Sequence, residues 1–148
     1  MINEIFSRSV DYHQTSKNGF AFYVGNHRIK VDFDRFPEME EHFNYGPIIT
    51  INFTVDKSYL AQADFSYKNT SIIFSTLKDI IRHYIDNKKP KAIFLQAASL
   101  KRAKIFYNLF ENFAGTDFDY FGRYKDFIYL YNEDIDFQEF YKFLFSSS

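Results

Sequence analysis

Between Ser71 and Tyr131 the hydrophobic pattern changes period repeatedly. Ile72-Ile73-Phe74 is a continuous apolar run that stops at Ser75-Thr76. A helical stripe follows at Leu77, Ile80, Ile81, Tyr84 and Ile85. A second run, Ala92-Ile93-Phe94-Leu95, leads into a second stripe at Ala103, Phe106, Tyr107, Phe110 and Phe113, and Phe127 to Tyr131 closes the series. Short apolar runs alternating with 3.6-period stripes predict strand–helix–strand–helix–strand, a sheet backed by helices. Thr76 with Asp79 three positions on has the form of a capping box, which starts the first helix at Leu77. Asn87-Lys88-Lys89-Pro90 ends it, because proline disfavours helix in the residue before it. Ser99 is the expected cap of the second helix, which ends near Ala114-Gly115. Thr116 to Asp126, with Gly122, reads as a loop.

Upstream the period is two. Phe20 to Val24 and the alternating Ile29, Val31 and Phe33 flank Gly25-Asn26, a hairpin signal because both residues tolerate positive φ. Ile49, Ile51, Phe53 and Val55 alternate with Thr50, Asn52 and Thr54. The chain turns at Asp56-Lys57-Ser58 and returns over Leu60 to Tyr67. These segments predict an antiparallel meander, with Lys68-Asn69-Thr70 as the break before the helical half. Asp34 to Gly46 is a polar loop with one helical turn after Pro37. Residues 1–14 fit either a short helix or a strand. Asp136 and Glu139 cap a last helix carrying Phe137, Phe140, Tyr141 and Leu144. The expected class is mixed α+β or α/β, in one domain over residues 1–148.

Composition alters this picture in one respect. The chain holds 20 Phe and 12 Tyr, 22% aromatic. Such rings supply large buried area with few rotors to freeze. Net charge is −1, which gives no general attraction to nucleic acid or to an anionic membrane. The absence of Cys excludes disulfides, thiolate metal sites and a thiol nucleophile. No leader is visible at Met1-Ile2-Asn3-Glu4-Ile5 and no window is apolar enough to span a bilayer, so a cytoplasmic protein is expected. His13, His27, His42 and His83 show no ligand spacing, and no metal site is expected. Glu38, Glu40, Glu41 and His42 form an acidic loop that could supply a base. Lys88-Lys89-Pro90-Lys91 and Lys101-Arg102-Ala103-Lys104 are the two basic clusters. The first complements a helix C-terminus, and the second lies at a helix N-terminus where phosphate could bind.

An antiparallel meander followed by β-α-β-α-β resembles the GCN5-related N-acetyltransferase (GNAT) fold. Leu100-Lys101-Arg102-Ala103-Lys104-Ile105-Phe106-Tyr107 resembles that family's last conserved helix, Asn-x-x-Ala-x-x-Leu-Tyr, with Ala103, Phe106 and Tyr107 on the Ala, Leu and Tyr positions. Residues 69–131 are also similar to small GNAT-like proteins of bacteriophages. The resemblance implies acetyl-CoA as cofactor, with Tyr107 as the general acid that protonates the departing thiolate. It places the pyrophosphate on the backbone of Ser75, Thr76, Leu77 and Lys78, at the junction of strand and helix. The family builds that junction from Arg/Gln-x-x-Gly-x-Gly/Ala. This chain has no glycine there, and Leu100 stands where the family has Asn. Two functions follow. One is a non-catalytic protein-binding module, a phage accessory, virion or host-inhibiting component acting in host cytoplasm or virion, with a protein partner or a second copy at a sheet edge. The other is a divergent acetyl-CoA-dependent N-acyltransferase.

Overall fold

The computed structural model describes residues 9–44, 46–55, 58–59, 67–97, 100–132, 138–139 and 142. The chain is mixed α+β. Its strands are β1 (Tyr12–Ser16), β2 (Gly19–Val24), β3 (His27–Arg35), β4 (Ile48–Val55), β5 (Ser58–Tyr59), β6 (Ala92–Gln96), β7 (Tyr120–Tyr124) and β8 (Phe127–Tyr131), and hydrogen bonding orders them β1-β2-β3-β4-β6-β8-β7, with β5 attached to β4. Backbone contacts divide it into two compact units, residues 1–34 with 51–89 and residues 35–50 with 90–148.

The first unit contains the predicted first hairpin, preceded by one further strand. β1 (Tyr12–Ser16), β2 (Gly19–Val24) and β3 (His27–Arg35) pair antiparallel, with Tyr12 opposite Phe22 and Phe20 opposite Val31. The β2–β3 turn falls on Gly25, whose φ of 61° is a left-handed conformation that costs glycine little. Alternation on β3 buries Ile29, Val31 and Phe33 completely and leaves Arg28, Lys30 and Asp32 partly wet. Ile51, Phe53 and Val55, the inward residues in the second part of β4 (Ile48–Val55), are buried as well. β5 (Ser58–Tyr59) turns back on it, Thr54 opposite Tyr59. The predicted return strand, Leu60 to Tyr67, starts beyond β5: residues 60–66 lie outside the described residues, and Tyr67 opens a helix instead.

The helix of this unit corrects the sequence reading. α2 runs from Tyr67 to Lys88 without interruption, so Lys68-Asn69-Thr70 is not a break and Ile72-Ile73-Phe74 is not a strand. Ile73 joins the expected stripe: Ile73, Leu77, Ile80, Ile81, Tyr84 and Ile85 are all buried, and Phe33 stacks flat on Tyr84 with ring centroids 4.0 Å apart. Thr76 is no cap. It is wholly buried in mid-helix, its hydroxyl donating to the Ile72 carbonyl at 2.8 Å and accepting the Val10 N–H at 3.1 Å. The helix ends where Pro90 required, with Lys89 in a left-handed conformation at φ 49°.

In the second unit α1 (Pro37–Phe43) extends the predicted single turn and ends on Asn44, left-handed at φ 52°. The first residues of β4 pair in parallel with β6 (Ala92–Gln96), Ile48 opposite Ala92 and Thr50 opposite Phe94. β8 (Phe127–Tyr131) pairs antiparallel with β6, and β7 (Tyr120–Tyr124) pairs antiparallel with β8. Two expectations change. The segment read as a loop contains β7, and α3 (Leu100–Glu111) leads into an antiparallel hairpin rather than a second parallel crossover. Of the predicted stripe, Ala103, Phe106, Phe110 and Phe113 are buried, Tyr107 is only half-buried, and Leu109, which is not part of that stripe, is buried as well. A core of Met39, Ile48, Ala92, Phe94 and Tyr131 is flanked by Phe36, Phe127 and Tyr129. The expected caps at Ser99 and Asp136 lie outside the described residues.

Candidate functional site

The polar and aromatic groups of the second unit converge where α3 meets β7. Lys104, Tyr107 and Asn108 are three and four positions apart on α3, a spacing that puts them on one face. Ala103, Phe106 and Phe110 bury the adjoining face and set which way the helix turns. The Tyr107 ring is half-buried and stacks on Phe121 of β7, centroids 4.4 Å apart. Two positions along β7, Arg123 points to the same side of the strand by alternation. Its Nη1 donates to the Lys125 carbonyl at 2.9 Å, which pins the guanidinium across the β7–β8 turn. Lys104, Tyr107, Asn108 and Arg123 line an open cavity of about 550 Å³. Among the described residues neither Lys104 nor Arg123 is ion-paired.

A row of tyrosines lies beside this cavity. Tyr129 is paired with Gly122, and a Cβ built on Gly122 would sit 2.8 Å from Tyr129 Cε2 and from its Oη. Only glycine lets the ring lie across the neighbouring strand in this way. Burial, and then the Tyr107 hydroxyl, push the Tyr129 phenol above its usual range. Tyr131 stacks on Tyr120 at 4.9 Å, and burial followed by Tyr129 and Tyr120 pushes its phenol up to about 12. These phenols therefore stay protonated at neutral pH, as hydrogen-bond donors and not as bases.

The residues expected to hold a pyrophosphate are placed elsewhere. Ser75, Thr76, Leu77 and Lys78 lie in the interior of α2, where each backbone N–H is bonded to the carbonyl four residues back and none is presented to a ligand. Ser75, Thr76 and Leu77 are buried, and only the Lys78 side chain reaches solvent. The junction predicted at that point does not exist, and Tyr107 belongs to the other unit. In the acidic loop Glu40 is already engaged. Its carboxylate accepts from Arg35 and from the Ile48 N–H, and the Arg35 hydrogen bond leads the effects that hold it below the usual carboxylate range. Glu38, Glu41 and His42 are exposed, and His42 lies 3.8 Å from Glu139. His83 is exposed as expected, with its ring edge against Tyr12 and Phe20. Among the described residues no three potential ligands cluster to hold a metal, and no helix is long and apolar enough to cross a membrane.

Sequence reasoning singled out Tyr107 and, through the basic cluster, Lys104. It missed Asn108 and Arg123. Asn108 needed only the helical spacing from Lys104 to be noticed, whereas Arg123 becomes visible only once β7 is recognised as a strand beside α3. No protein-family model, curated protein or solved structure matches the chain.

Proposed function

We propose that the chain is a GNAT-like scaffold serving as a non-catalytic protein-binding module. The accessory, virion or host-inhibiting role expected of a small phage-type member agrees with this reading. Support for the scaffold comes from the strand order, in which a meander leads to the parallel β4–β6 pair and then to a β7–β8 hairpin after a Tyr-bearing helix. One observation carries the lack of catalysis: Tyr107 stacks on Phe121 of the outer strand β7, two strands away from β6. A general acid for a coenzyme thiolate would stand at the parallel pair. The glycine count agrees, since no glycine lies between Gly46 and Gly115 to form a phosphate-gripping turn.

Calorimetric titration with acetyl-CoA, paired with a thermal melt, tests the reading. The expected result is neither saturable heat nor an upshift from a thioester site. A ligand at a hundred times its Kd stabilises by about 2.7 kcal/mol, and an upshift of that size with thiol release in the presence of amines would establish the acyltransferase instead. That second reading draws on one observation, that Tyr107 occupies the α3 position the resemblance assigns to the general acid.

A further inference from the structure

We propose that the α3–β7 cavity binds a phosphate monoester, the phosphoryl group held by Lys104 and Arg123 and the organic body resting against Tyr107. Two cations face one open space of about 550 Å³, and among the described residues no carboxylate lines it. Arg123 is already oriented by its bond to the Lys125 carbonyl, which leaves the rest of its planar fork for an oxyanion. Lys104 contributes a second point charge from the neighbouring helix. The Asn108 amide and Tyr107 hydroxyl add neutral donors, which favours a group with several acceptor oxygens over a halide. The Tyr107 ring, fixed by its stack on Phe121, provides an apolar wall at the same cavity. A site with cations, amide and ring suits a ligand that is charged at one end and apolar at the other. This inference is independent of whether the scaffold is catalytic.

Phenyl phosphate is the probe, titrated calorimetrically into the full chain at low ionic strength. One-to-one binding with a Kd of about 1 mM or tighter is expected. Affinity should rise from pH 5 to 7.5 as the dianion forms, because the second phosphate pKa is about 6. It should fall with added salt. Arg123→Gln and Lys104→Gln, both at exposed positions, should each weaken binding about tenfold or more, with far-UV circular dichroism unchanged. Lys30→Gln, on β3, should leave it intact. No saturation in the wild type, or equal affinity in the Arg123 and Lys104 variants, overturns the proposal. Acetyl-CoA itself carries a phosphate monoester, so its titration is repeated on Arg123→Gln. Binding lost with the arginine belongs to this cavity, and binding retained belongs to a coenzyme site elsewhere.

Discussion

Replacing Thr76 separates the helix interior seen in the structure from the helix start that the sequence suggests. At an N-cap, Asp serves as well as Thr, so Thr76→Asp would be close to neutral. In the structure Thr76 is 0% exposed, within a helix that began at Tyr67. A carboxylate there is a buried charge without a counter-charge, which costs about 3–5 kcal/mol. Thr76→Val is the milder probe. It keeps the β-branched shape, and the Ile72 carbonyl keeps its intrahelical bond. The loss is then confined to the Val10 N–H, whose 3.1 Å acceptor disappears. An unsatisfied backbone donor costs about 1–3 kcal/mol, and Val10 is only half-buried, so about 1 kcal/mol is expected. Urea unfolding should rank wild type, Thr76→Val and Thr76→Asp in that order, with an unchanged slope against denaturant. At about 2–4 °C per kcal/mol, the Asp variant should melt roughly 6–20 °C lower. Its deficit should shrink as pH falls toward about 4, because desolvation raises the folded-state pKa and the charge is absent from both states in acid. Wild-type stability of Thr76→Asp at neutral pH would refute the buried mid-helix placement.

Three further outcomes are expected. Gly122→Ala forces the Tyr129 ring away from a 2.8 Å approach and should destabilise by about 1–3 kcal/mol, with a changed near-UV dichroism signal. Glu40→Gln removes the charge from a hydrogen bond to an arginine that is itself half-exposed, and should cost about 1 kcal/mol by urea unfolding. Because the folded-state pKa of Glu40 is lowered, this stability is present at neutral pH and is lost as pH falls below about 4.5, a dependence the variant should lack. In alkali, Tyr131 should ionise later than a free tyrosine, near pH 12 by absorbance titration. Stability should decline from pH 10 upward, since the raised pKa favours the protonated folded state below that point. Tyr131→Phe should flatten the decline.

The strands of the meander were legible because each has one wet face. Arg28, Lys30 and Asp32 mark the pleat of β3 as clearly as the residues buried between them. The two helical stripes were legible for the same reason, from Leu77 to Ile85 and from Ala103 to Phe113. The start of α2 was obscured because three consecutive apolar residues look like a buried strand. On the helix only Ile73 of the three is buried, and Ile72 and Phe74 flank the stripe. Small polar residues on the buried face, Ser71, Ser75 and Thr76, interrupted the apolar period and imitated a cap. β7 was hidden because an edge strand with Gly122 at a close crossing lacks the continuous β-branched content of a central strand. Half of the cavity was hidden with it, since Arg123 has no evident neighbour until Phe121 and Tyr107 are known to stack.

The core around Met39 has a consequence for the order of folding. Met39 and Ile48 emerge from the ribosome long before Ala92, Phe94 and Tyr131, the side chains that enclose them. During synthesis α1 and the opening of β4 must wait, with Met39 uncovered, until the chain from Ala92 to Tyr131 arrives. A fragment beginning at Pro90 would lack the same two residues and leave β6 without its parallel neighbour. Neither compact unit is a continuous stretch of chain, so no single cut of the gene yields both intact.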